Sequence, residues 1–189
     1  NTLAAKTSGI ITATISDNDM ATLDGITESG HALTISVTDA VVLAADLNAL
    51  DIRTTVAVAV SSTTVAGSAA DINAIYDANA AGQISGLGDE EQIITDLTIS
   101  ASSLNTLNAK TTGTLKALAV TSITGSAADI NTVYTAHTAG TITGLGDEAV
   151  IISDTIIAAS LLNTLDENTT GNIDASAVTT FSGNASDIN

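Results

Sequence analysis

The chain repeats itself at a fixed spacing of 58 residues. Gly67-Ser68-Ala69-Ala70-Asp71-Ile72-Asn73 returns unchanged at 125–131 and in altered form as Gly183-Asn184-Ala185-Ser186-Asp187-Ile188-Asn189. Residues 67–124 laid over 125–182 agree at 34 of 58 positions without a gap. Gly86-Leu87-Gly88-Asp89-Glu90 therefore falls on 144–148, and Leu104-Asn105-Thr106-Leu107 on 162–165. Such self-similarity is the signature of stacked units that each rely on a neighbour to cover an apolar face.

Each 58-residue unit divides again. The pattern apolar-Asn-x-apolar recurs around Asn48, Asn73, Asn105, Asn131 and Asn163, with a degenerate copy at 20–23 and a last one starting at Ile188. Steps of 26 and 32 residues alternate along the well-matched part, the extra residues falling at Gly-Leu-Gly-Asp-Glu. The expected fold is a parallel β-solenoid with one short α-helix per coil, in one continuous array. Residues 1–66 read as diverged coils, 67–124 and 125–182 as repeat units, and 183–189 as the start of a further repeat.

Local grammar supports a helix in each coil. Ser68 with Asp71, and Ser126 with Asp129, resemble a capping box. Ile72, Ile75 and Tyr76 follow at i, i+3 and i+4 on one helical face. Gly82, Gly113, Gly140 and Gly171 stand where a left-handed C-terminal cap is expected. β-rich runs such as 114–123 and 149–153 come next. Tyr76 and Tyr134 lie one period apart, as equivalent positions of an array. With Phe181 they are the only aromatics, so the interior is expected to be narrow and filled by aliphatic layers.

A net charge of −17, from 21 acidic residues against four basic ones, disfavours nucleic acid and anionic membrane as partners. No apolar run reaches the roughly 18 residues of a membrane span, so membrane insertion is not expected. Without cysteine, thiol chemistry and disulfides are excluded.

Candidate chemistry is sparse. Asp17 and Asp19, and the loop pairs Asp89-Glu90 and Asp147-Glu148, are oxygen-rich and suit calcium, which takes six to eight oxygen ligands. None follows an EF-hand or a calcium β-roll spacing, and a solvated turn is the plainer reading. The repeated Asn side chains either form a ladder between coils or occupy partly exposed helix positions. His31 and His137 do not occupy equivalent repeat positions. No nucleophile elbow or dinucleotide fingerprint is present, and an enzyme is not expected.

The motifs Gly-Ser-Ala-Ala-Asp-Ile-Asn, Ile-Thr-Gly-Leu-Gly-Asp-Glu and Leu-Asn-Thr-Leu-Asp-x-x-Thr-Thr-Gly-x-Ile-Asp-Ala-Ser resemble the Thr/Ala/Asp-rich tandem repeats of giant secreted cell-surface proteins of cyanobacteria and other Gram-negative bacteria. The resemblance covers 67–189 well and 1–66 loosely. It implies export and a role in surface layers, fibrils, adhesion or motility, and it transfers no functional residues. Residues 1–9 also match 105–113, so Asn1 and Asn189 occupy the same repeat position. From this we expect a window on a longer array, or head-to-tail packing of copies. Three functions follow as expectations: a structural rod or filament, a calcium-stiffened adhesin or spacer module, and an ice- or surface-binding solenoid using Thr ranks such as Thr12-Ala13-Thr14 and Thr141-Ile142-Thr143.

Overall fold

The computed structural model describes residue 3 and residues 6–188, so the matched end positions Asn1 and Asn189 lie outside the described residues. The chain forms two compact units, Asn1–Gln92 and Ile93–Asn189. Short strands alternate with helices in both, and every strand pair described within them is parallel.

The first unit contains β1 (Thr12–Thr14), α1 (Met20–Leu23), β2 (Ala32–Thr34), β3 (Ser36–Val37), β4 (Val41–Leu43), α2 (Ala44–Asp51), β5 (Val58–Val60), β6 (Thr64–Gly67), α3 (Ala69–Ala80) and β7 (Ile84–Ser85). Strand β8 (Glu91–Ile94) spans the division. Within this unit β1 pairs with β2, β4 with β6, and β5 lies between β3 and β7. Register brings like residues together: Val37 faces Val60, Val42 faces Val65, and Val58 faces Ile84. All of these are buried, which is the near-continuous aliphatic layering that parallel strands favour.

The second unit contains β9 (Thr98–Ser100), α4 (Ala101–Lys110), β10 (Leu115–Lys116), β11 (Ser122–Gly125), α5 (Ala127–Thr138), β12 (Ile142–Thr143), β13 (Ala149–Ile152), β14 (Ile156–Ala158), α6 (Ala159–Asn168), β15 (Ile173–Asp174), β16 (Thr180–Ser182) and α7 (Ala185–Ile188). Its main sheet runs β9-β11-β13-β15, with Ile99, Ile123 and Val150 aligned across three strands and buried. In this unit β10 also pairs with β12, and β14 and β16 form a two-stranded sheet of their own. From Thr64 to Lys116 each element recurs 58 residues later with the same length, as α3 and α5 do at 12 residues each.

The helices stack as the strands do: α2 packs on α3, α4 on α5, α5 on α6, and α6 on α7. Their inward stripe is the pattern read from sequence, with Ile72, Ile75 and Tyr76 buried in α3 and Ile130, Val133 and Tyr134 in α5. Ser68 and Ser126 cap as expected, each Oγ accepting from the amide three residues on at 3.1 Å. The acidic partner differs from the capping-box expectation, because Asp71 and Asp129 accept from the serine hydroxyls.

Two details depart from the sequence reading. Gly82 and Gly140 do adopt positive φ after α3 and α5, at 78° and 81°. Helices α4 and α6 instead end on extended Thr111 and Thr169, and Gly171 serves another purpose, described below. The main sheet also steps sideways: β9 and β11 each lead into a helix, β13 is followed by a further strand, and β15 comes after α6. The cause is the longer of the two alternating segments, which fits β12, β13 and β14 between α5 and α6 where the shorter fits β10 and β11 between α4 and α5. What is established is a repeated α/β architecture with parallel sheets.

Candidate functional site

The polar groups that the sequence singles out are joined to the backbone of the neighbouring repeat segment. Asn48 Nδ2 donates to the Asp71 carbonyl at 3.1 Å and Asn105 Nδ2 to that of Asp129 at 3.0 Å. Asn131 reaches the Leu161 carbonyl at 3.2 Å and Asn163 that of Asp187 at 3.1 Å. The acceptor in each case belongs to the residue just before the next apolar-Asn-x-apolar motif, which begins at Ile72, Ile130, Leu162 or Ile188. Of the two readings left open by sequence, the structure shows the ladder for these four, while Asn73 Nδ2 donates to Asp77 Oδ2 at 3.1 Å within its own helix.

Threonine supplies a second kind of rung. Both the amide and the hydroxyl of Thr63 donate to the Ala40 carbonyl, at 3.0 and 3.1 Å. Thr121 treats the Leu97 carbonyl the same way at 2.8 and 3.0 Å, and Thr179 the Thr155 carbonyl at 2.8 and 3.0 Å. Each of these oxygens also takes the following amide, from Thr64, Ser122 and Thr180 at 3.0, 3.1 and 3.2 Å, so three donors converge on one carbonyl. This role, invisible in composition, accounts for part of the Thr content. The Thr ranks proposed for an ice face do not align: Thr14 faces Thr34, but Thr12 faces Ala32 and Thr143 faces Lys116.

The Gly-Leu-Gly-Asp-Glu loops hold their glutamates inside. Glu90 and Glu148 are each 1% exposed. Glu148 accepts from the Gly146 amide with both carboxylate oxygens, at 3.0 and 2.9 Å, and from the Tyr134 hydroxyl at 3.2 Å. Glu90 repeats this with Gly88 at 3.1 and 2.8 Å and Tyr76 at 2.7 Å. A buried carboxylate is tolerated only when donors satisfy it, and here the loop amide and the helix tyrosine do so. Burial, with the Glu148 charge beside it, pushes the Tyr134 hydroxyl up to about 12.

The following segment grips the same loop from outside. Thr170 directs its amide and hydroxyl to the Gly146 carbonyl at 2.8 and 3.1 Å, while the Thr169 hydroxyl lies 3.4 Å from the Glu148 carbonyl. Gly171 passes so close that an added Cβ would stand 2.0 Å from the Glu148 carbonyl oxygen. Its requirement is therefore close approach and not helix capping.

Sequence reasoning missed one contact type. Asp154 Oδ2 accepts from the Ala127 amide, the first N–H of α5, at 2.7 Å across 27 residues. Asp39 does the same for Met20 at 2.9 Å. A carboxylate there satisfies an orphan amide and faces the positive end of the helix dipole. The available signal was the recurrence of Asp39, Asp96 and Asp154 after a β-rich run.

The remaining expected cation ligands are dispersed. Asp19 caps α1, accepting from the Thr22 amide at 3.0 Å, while Asp17, Asp89 and Asp147 are exposed. Among the described residues, no three His, Asp or Glu side chains converge on a point that could hold a metal. His137 Nδ1 lies 3.2 Å from the Ile142 carbonyl, and His31 Nδ1 accepts from the Ile11 amide at 3.2 Å. No helix among the described residues is long and apolar enough to cross a membrane. Compared with protein-family models, curated proteins and solved structures, the chain finds no match.

Proposed function

We propose that this chain is a structural, extracellular repeat protein whose segments stack as solenoid coils into a rod, fibril or filament, with further coils or copies joined head to tail. The observation that carries this reading is the asparagine ladder, in which α2, α4, α5 and α6 each spend one side chain on the backbone of the next helix, at separations of 23, 24, 30 and 24 residues. Threonine rungs and the loop grip add bonds of the same kind. These polar groups serve cohesion along the stack, and the reading assigns none of them a catalytic role. The surface-protein resemblance, the absence of cysteine and the charge of −17 are consistent with an exported surface component.

A calcium-stiffened adhesin or spacer module is the second reading. It draws on Asp89 and Asp147, which stand exposed on loops anchored from within by Glu90 and Glu148. An ice-binding face is weaker, since the Thr positions proposed for it do not keep register from strand to strand.

Electron microscopy of the native assembly with and without a calcium chelator separates these readings. About seven coils at about 4.8 Å each give a rise of roughly 34 Å per copy. Filaments of that rise, indifferent to chelator, are expected. Discrete particles would overturn the rod, and softening on chelation would favour the spacer.

A further inference from the structure

The last repeat leaves open a surface that the previous one covers. Leu104, Leu115, Ile123 and Ile130 are each 0% exposed. Their equivalents 58 residues on are Leu162 and Ile173, both partly exposed, and Phe181 and Ile188, at 49% and 57%. These four line two grooves of about 240 and 270 Å³ that share Leu162 and Asn163, so they belong to one continuous face. What covers the earlier surface is the following repeat segment: α5 lies on α4, α6 on α5, Ile142 pairs with Leu115, and Val150 with Ile123. The backbone joins in, since the Thr121 and Gly125 carbonyls accept from the Ala149 and Ser153 amides at 3.0 and 2.8 Å. Thr179 and Gly183 are their equivalents on the open face.

The first unit has an open surface of its own. Ile11, Ala13, Ile15 and Ile26, all partly exposed, line a cavity of about 170 Å³. Strand β1, which carries Ala13, pairs among the described strands with β2 alone and so keeps one free edge.

We propose that the open face of the second unit receives the β1 surface of the first unit of another copy. This rests on the head-to-tail reading and adds which surfaces meet. The contact extends one already made inside the chain, because the face it uses has the residue pattern that the next repeat covers 58 residues earlier. Phe181 and Ile188 project as the apolar anchors, and the cavity beside the small Ala13 takes them in. The two surfaces differ, so the contact is heterologous, and a bound pair still offers one free surface of each kind for further growth.

Sedimentation velocity with electron microscopy, at about 500 mM NaCl to screen the charge of −17, tests the contact. Phe181→Glu and Ile188→Lys on one surface, and Ala13→Glu on the other, should each weaken assembly at least about tenfold, since either sign sets a charge in an apolar contact. An equimolar mixture of Phe181→Glu and Ala13→Glu should form dimers and nothing longer, because each partner keeps one intact surface. Thr135→Lys, on the exposed side of α5, should assemble like the parent. Circular dichroism checks that each variant is folded. Filaments that survive all three substitutions, or a mixture that stays monomeric while the parent assembles, overturn this contact and leave the rod reading standing. A parent without filaments overturns the rod reading and this contact with it.

Discussion

The Tyr134 hydroxyl donates to Glu148 Oε2 at 3.2 Å, with the phenol 1% exposed and the carboxylate equally enclosed. The pair joins a helix to the loop 14 residues further on. Removing one partner leaves the other buried and under-satisfied. Glu148→Ala should cost about 2–4 kcal/mol and Tyr134→Phe about 1–3 kcal/mol, read as shifts in urea midpoint at unchanged slope. Equal stability in both variants would remove the pair from the account of the fold.

The same tyrosine predicts an alkaline limit. Its ionisation is pushed from 10.0 up to about 12 in the folded chain. The folded state therefore holds this proton more tightly than the unfolded state. The contribution is complete below about pH 10 and is lost as pH rises through about 12, amounting to about 2–3 kcal/mol. Tyrosinate absorbance of a Tyr76→Phe variant isolates Tyr134, and should show its titration only near the alkaline unfolding transition.

The asparagine rungs make a test of polarity. Asn131→Ala removes the donor to the Leu161 carbonyl and should cost about 0.5–1.5 kcal/mol. Asn131→Asp sets a carboxylate against that carbonyl oxygen and should cost more than alanine. Thermal melts of the two variants give the order, and aspartate equal to asparagine would refute the rung.

Gln92 is 0% exposed, and neither end of its side-chain amide meets a hydrogen-bonding group. The equivalent position one repeat on is Val150, also buried. Gln92→Val should therefore stabilise the chain by about 1–3 kcal/mol, the cost of an unsatisfied buried amide. Chemical denaturation measures it.

Two glycines separate steric need from conformational need. Gly140, at φ 81°, has open space where a Cβ would go, so Gly140→Ala should cost about 1–2 kcal/mol for the left-handed backbone alone. Gly171→Ala drives a methyl into the Glu148 carbonyl and should cost about 3 kcal/mol or more. Comparable melting temperatures for the two would contradict the close approach.

What could be read in advance was whatever is local or periodic. Ser68 and Ser126 announced helix starts because a cap and its amide lie three residues apart. The 58-residue period announced equivalent elements. Contacts between segments were harder, because their spacing depends on how many strands a segment holds. Glu148 read as a surface oxygen ligand because its tyrosine partner lies in the preceding helix, and the Gly146 amide reaches it only after the loop curls back. Gly171 read as a cap because a lone glycine after a helix carries no mark of the carbonyl pressed against it. Asp154 capping α5 across 27 residues had no local signature.

That last contact gives the stack a direction in time. The first amide of α5 gains its carboxylate partner only once the chain has been made as far as Asp154, a whole segment later. On a ribosome, which delivers the N-terminal part first, the first turn of α5 therefore keeps an orphan amide until Asp154 has been added, and a fault in that turn can still be corrected before the later segment closes on it.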